Sequence, residues 1–196
     1  PYGHTHKLRQ LAGTPTDQIL PPTMRGFKNG KVYPTDHPDV ARGKQLAGPG
    51  GKAVLYTDNS PISTSQSEVV QANMKQIGID LEVKRFEFAV LTSKIGVLKE
   101  PYDAVLIGWF ADYADPYDFV NVLLSGKTLA PDNNVNASRM NDPAFNRRMD
   151  RAATMSGVPS PRRISFTSLP AASWLANAST SPSIAASRSG ASPSDC

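Results

Sequence analysis

Cysteine is almost missing from this chain of 196 residues, and the one thiol, Cys196, stands at the last position. A lone thiol excludes an internal disulfide and leaves the redox compartment open. Long apolar runs are missing too: nothing approaches the roughly 20 residues that a membrane helix needs. No charged, then apolar, then small-residue signal pattern stands at the N-terminal end of the sequence. Charge of one sign is not concentrated, since 21 basic and 17 acidic residues leave a net charge of only +4. The densest basic group, Arg147, Arg148 and Arg151 with Arg162 and Arg163 beyond, reads as the solvated side of a helix and a loop. A nucleic-acid partner, which needs a clustered basic face, is therefore not expected. Aromatic residues make up 8% with two Trp, which supports a core over part of the chain. The 17 Pro and 14 Gly keep no period, which excludes collagen, and no internal repeat is visible.

What is present is an alternation of short apolar runs and amphipathic segments. Residues 1–27 are rich in turn formers, and Pro21-Pro22 with Gly26 predicts an extended surface loop. Pro38, Asp39 and Gly48 bracket a short helix over about 38–47. Ala53 to Asp58 is a compact apolar run that reads as a buried strand, and DNSPISTS after it reads as a polar loop. From Ser65, apolar residues recur at three-to-four spacing as far as Ile77, predicting a helix that Gly78 stops. Residues 80–88 alternate as a strand does, with a switch of buried face midway. A helix over about 89–98 should halt before Pro101. Ala104 to Trp109 is the best candidate for a central strand. Residues 116–126 and about 143–155 read as two further helices. The order strand, helix, strand, helix, strand, helix is that of an α/β layer architecture. After Arg163 the composition turns to Ser, Ala and Pro without period, so 164–196 is expected to be a disordered tail.

The chemistry is concentrated in Gly108-Trp109-Phe110-Ala111-Asp112-Tyr113-Ala114-Asp115-Pro116, between the end of a strand and the start of a helix. Ligands of open α/β sheets bind beyond the carboxyl ends of the strands. The indole of Trp109, the ring of Phe110, the phenol of Tyr113 and two carboxylates together suit a cationic or amine-bearing solute with apolar parts. Rings supply area and cation–π attraction, and a carboxylate accepts charge-assisted hydrogen bonds from an amine. A structural alternative stands beside this one: Trp109 in the core, Asp112 and Asp115 capping the helix, Pro116 starting it. For Asp115, directly before Pro116, the cap is the favoured role. An enzymatic alternative makes Asp112 and Asp115 the general acid and base of a small glycosidase-like hydrolase, but carboxylates on one short loop would not flank a sugar bond from opposite faces. His4, His6 and His37 lie in loops, and His4-Thr5-His6 lacks a carboxylate or Cys partner for a metal. No Ser–His–Asp pattern, phosphate loop or dinucleotide fingerprint is present. No catalytic residue, metal or cofactor is assigned. A third possibility is a purely structural interaction domain.

The stretch YDAVLIGWFADYADPYDFVNVLLSG resembles a segment of the family 5 solute-binding proteins, the dipeptide and oligopeptide binders, in which a strand runs into G-W-x-x-D, a D-P pair and a helix with a Phe. Further pieces follow in the family's order. They are Ile19-Leu20-Pro21-Pro22 with Gly26-Phe27, Tyr33 with HPDVARGKQLAG, VVQANMKQIGIDLEV from Val69 to Val83, and Asn136-Ala137-Ser138 with Asn141-Asp142-Pro143-Ala144-Phe145. Coverage runs over 12–163, while 1–11 do not match. The resemblance implies a periplasmic-binding-protein-like type II lobe, incomplete: a partial second lobe of a longer, two-lobed protein. It implies a non-enzymatic substrate-binding component of an ABC importer, capturing peptides or similar solutes. The partners implied are a permease and ATPases, and the place is periplasmic or extracellular, reached by secretion or a lipid anchor. On this basis Trp109 shapes the side-chain pocket, Asp112 pairs with the ligand's amine and Phe110 lines the same wall. No basic residue is assigned to a ligand carboxylate; Lys99 is conceivable, but the solvated role is favoured for it. The tail after Arg163 departs from the family and reads like a shifted reading frame.

Overall fold

A computed structural model describes residues 16–154. The expectations for 1–11, His4 and His6, for Arg162 and Arg163 and for the tail 164–196 lie outside the described residues. Within them the elements are α1 (Val40–Ala47), β1 (Gly51–Asp58), α2 (Pro61–Gln76), β2 (Ile79–Phe86), α3 (Phe88–Ile95), β3 (Ala104–Leu106), α4 (Tyr117–Leu124) and α5 (Pro143–Thr154), with a 3-10 turn at Gly126–Thr128. The three strands form one parallel sheet in the order β2-β1-β3. Strand alternation separates its faces. Leu55, Leu81 and Val83 look to one side, and Val54, Tyr56, Phe86 and Val105 to the other. The chain steps from β1 to β2 through α2 and returns past β1 to β3 through α3. Because the direction reverses while crossovers stay right-handed, the two helices must cover opposite faces. The contacts agree: Gln71 of α2 donates to Leu81 O at 2.7 Å, while Leu91 and Ile95 of α3 pack with Tyr56, Val54 and Phe86. The expected change of buried face along β2 is this handover from Leu81 to Phe86.

Local chemistry sets the element ends. Asp39 caps α1, accepting from Arg42 N at 2.9 Å, so Pro38 stands just before the cap instead of in the first turn. Helix α2 begins at Pro61, four residues before the expected Ser65, within the stretch read as a polar loop. Ser60 accepts from Ser63 N, and the Asp58 carboxylate takes Ser60 N at 2.8 Å and Ser63 Oγ at 2.5 Å. A Ser cap followed by Pro at the first helical position is a start signal that the Ser/Thr-rich composition concealed. Gly78 ends the helix with φ +87°, and Gly50 packs so closely on it that a Cβ would fall 2.1 Å from Gly78 O. Helix α3, capped by Glu87, stops at Ile95, three residues short of expectation, because Gly96 turns the chain and Leu98 N bonds to Pro131 O.

Residues Ala104 to Trp109 are not a central strand. Only Ala104–Leu106 pair, and they lie at the edge, while β1 is the centre. Pairing ends there because Asp58, the next residue of β1, is turned to α2 and Asn59 N bonds to Phe86 O on the far side.

A second core lies under α4 and α5, where Phe119, Val120, Leu124, Met140, Phe145 and Met149 enclose Leu20. Burying a side chain such as Phe145, 1% exposed, contributes on the order of 3 kcal/mol. The segment at 19–27 is thus a turn anchored inward at Leu20, not a surface loop throughout, with Met24 and Phe27 against the same core. Arg147, Arg148 and Arg151 lie on the exposed side of α5, as expected of a solvated face.

Candidate functional site

The connections from β1 and β3 leave the carboxyl edge of the sheet side by side, after the chain has wound first one way and then the other. Open α/β sheets bind their ligands at such a reversal point, and two segments border it here. One rim is the Asp58–Ser60 turn, already occupied in capping α2. The other is the loop from Ile107 to Pro116, anchored at its base by Thr57 Oγ1 donating to Leu106 O at 3.0 Å.

This loop is organised around a residue that sequence reasoning did not select. Asp118, in the first turn of α4, is 1% exposed. One of its oxygens accepts from Trp109 Nε1 at 3.0 Å and from Asp112 N at 3.1 Å. A first-turn carboxylate is ordinary at a helix N-terminus. Nothing in the linear order said that its bonds would run backwards to the loop. The structure therefore brings Trp109 and Asp112 together through a shared acceptor. Trp109 is neither core nor free: its indole N–H is spent on Asp118, and the side chain stays 36% exposed. Asp112 is exposed and does not cap α4, whereas Asp115 does, accepting from Tyr117 N at 2.9 Å. Phe110 is 90% exposed and packs on no wall. Tyr113 is half exposed, and its hydroxyl is pushed above the usual tyrosine range, chiefly by burial, with the negative charges of Asp118, Asp115 and Asp112 adding to it. It therefore remains a protonated donor at neutral pH.

The other candidates are placed elsewhere. Lys99 is exposed in the turn ahead of β3, at the amino edge of that strand and so at the opposite end from the loop. His37 sits beside Asp36 at 2.8 Å in an exposed segment, and no group of three or more metal-binding side chains occurs among the described residues. A hydrolase built on Asp112 and Asp115 gains nothing from this arrangement, because Asp115 is committed to the helix and both carboxylates rise from the same rim.

With the geometry in place, likeness to known proteins can be weighed. Residues 5–130 match the family described as "Bacterial extracellular solute-binding proteins, family 5 Middle". The chain belongs to this family. Peptide transport periplasmic protein SapA of Haemophilus influenzae is 30% identical over 162 residues, covering 79% of this chain and 28% of that protein. The probable D,D-dipeptide-binding periplasmic protein DdpA of Escherichia coli is 30% identical over 78 residues, covering 40% of this chain and 15% of that protein. The chain thus spans between 15 and 28% of the length of the curated relatives it matches. Among solved structures, the murein tripeptide binding protein MppA of Escherichia coli superposes with a TM-score of 0.70 at 20% identity, over 87% of this chain and 34% of that one. The periplasmic binding protein DppA of Helicobacter pylori, in complex with the peptide STSA, gives 0.69 at 21% identity, over 85% and 32%. These establish the fold as that of a type II periplasmic binding protein, as the resemblance implied. The family's members are extracellular or periplasmic substrate-binding proteins. Among the described residues no helix is long and apolar enough to cross a membrane.

Proposed function

We propose that this chain carries one rim of a peptide-capture site in the substrate-binding component of an ABC importer, working outside the cytoplasmic membrane with a permease and its ATPases. The observation that carries the reading is the pairing of Trp109 with Asp112 on Asp118, at the carboxyl edge of the sheet. An exposed carboxylate beside a half-exposed indole suits the free amine of a peptide and the apolar side chain next to it. Tyr113 adds a hydroxyl donor for a peptide carbonyl, and Phe110 a ring that becomes buried only when a ligand or a facing surface closes over it. Residues 12–163 belong on this reading to the second lobe of a two-lobed protein, either secreted or held by a lipid anchor outside the cytoplasmic membrane. The names of the relatives, which speak of dipeptides and peptide transport, support the choice of solute class. Closure of two lobes supplies most of the burial in such binders, so the chain by itself should bind weakly.

Titration of the chain with alanyl-phenylalanine, followed by calorimetry or NMR, tests the assignment of Asp112. Asp112→Ala removes a charge-assisted hydrogen bond of about 1.5–3 kcal/mol and should raise Kd by about 10- to 100-fold. An N-acetylated dipeptide should lose a similar amount on the unaltered chain. Equal affinity of the unaltered and Asp112→Ala chains would remove Asp112 from the site.

A further inference from the structure

We infer that Asp118 is a positioning residue for solute binding, fixing Trp109 and Asp112 relative to each other without touching the solute. This rests on the reading of Trp109 and Asp112 as walls of the site. Neither hydrogen bond of the carboxylate goes to its own helix, where Asp115 takes Tyr117 N and the N-cap residue of α4, Pro116, contributes no side-chain bond. Both of its hydrogen bonds run back to the loop, one to an indole N–H and one to the backbone N–H of Asp112. Among the described residues no Lys or Arg pairs with it. A buried carboxylate without a cationic partner destabilises a fold relative to an apolar residue of similar size. What it supplies in return is order in a loop that is otherwise short of anchors. Between Leu106 and Asp115 the backbone makes no ladder, the side chain of Phe110 is largely in solvent and Tyr113 is half exposed. A single oxygen accepting both bonds sets how far the indole stands from residue 112. Rigid spacing of an apolar wall and a carboxylate lowers the ordering cost of binding a peptide amine and its neighbouring side chain.

The test follows the Trp109 indole resonance of the labelled full chain during titration with alanyl-phenylalanine. The unaltered chain should respond. Asp118→Ala keeps both residues, Trp109 and Asp112, but removes the acceptor that ties them together, and should raise Kd by at least about tenfold, with the amide signals of α4 retained. Asp118→Asn keeps an oxygen that can accept both bonds and should restore affinity to within about threefold of the unaltered chain. An unaltered chain whose indole ignores the dipeptide overturns the site reading and this inference with it. A response that Asp118→Ala leaves unchanged overturns this inference alone, as does an Asp118→Asn chain as weak as Asp118→Ala. Should Asp118→Ala fail to fold, a benzothiophene isostere of tryptophan at position 109 keeps the bicycle and lacks the N–H. It should weaken binding at least about threefold, and unchanged affinity would overturn the proposal.

Discussion

Tyr56, Phe86 and Tyr102 lie on the face of the sheet that α3 covers, and Trp109, Phe110, Tyr113 and Tyr117 lie just beyond the carboxyl edge of the same strands. The first group is closed. Tyr56 meets Phe86 edge-on with ring centroids 4.9 Å apart and Tyr102 at 5.4 Å. Tyr56 OH donates to Glu100 at 3.0 Å, and Tyr102 OH lies 2.7 Å from Ala137 O. Arg139 covers the Tyr102 ring at 3.9 Å and donates to the carbonyls of Val97 and Glu100. The second group is open: its four rings are between 36 and 90% exposed, and a buried carboxylate, Asp118, holds one of them, the Trp109 indole. Aromatic residues thus serve stability where every polar tip has a partner inside the lobe, and on the proposed reading they serve recognition at the edge. Loss of a side chain should therefore unfold the protein on the α3 face and leave the fold intact at the edge.

The largest effect is expected at Leu91, which is fully buried beneath that face. Leu91→Ala should cost about 2–5 kcal/mol in urea unfolding, and a loss below that range would mean the α3 face is loosely packed. Tyr102→Phe removes only the hydroxyl bonded to Ala137 O and Ile95 O, for about 1 kcal/mol by the same measurement.

Acid should loosen the closed group. The hydrogen bond from Lys94, with that from Tyr56 in support, outweighs desolvation and holds the Glu100 carboxyl below the ordinary 4.5. A folded value below the unfolded one means the stabilisation is complete above pH 4.5 and fades as pH falls through the lower folded value. With Lys94 37% exposed, solvent screening keeps this under about 1 kcal/mol. Glu100→Gln should flatten the acid limb of a stability–pH curve, and an unaltered limb would place its origin elsewhere.

The smallest effect belongs to the open group. Phe110→Ala should unfold within about 0.5 kcal/mol of the unaltered chain, and a larger loss would show that the ring packs in solution.

Much of this division was legible in the residues. The apolar run at Ala53–Asp58, the alternation of β2 and the three-to-four spacing of α2 located strands and a helix, because burial on one face leaves a period. The cluster from Trp109 to Tyr113 drew attention because aromatics and carboxylates rarely share so short a loop. What escaped was long-range or locally disguised. Ser60-Pro61 starts α2 inside a stretch that composition marks as loop. The length of β3 is set by where β1 turns away, which is no property of residues 104–109. The resemblance makes Phe110 part of a wall, and in this chain its ring stands 90% exposed. Asp118 was hidden most completely. A first-turn acid explains itself locally, and only the fold carries Trp109 and Asp112 to its side.

The central claim, that the loop beyond β3 is where a peptide is held, is tested most directly by mapping amide and indole resonances of the labelled chain during titration with alanyl-phenylalanine. The account predicts shifts concentrated at Trp109, Asp112 and Tyr113, with the Tyr102–Arg139 cluster unmoved. Shifts confined to the amino edge near Lys99, or none at any concentration of dipeptide, would contradict it.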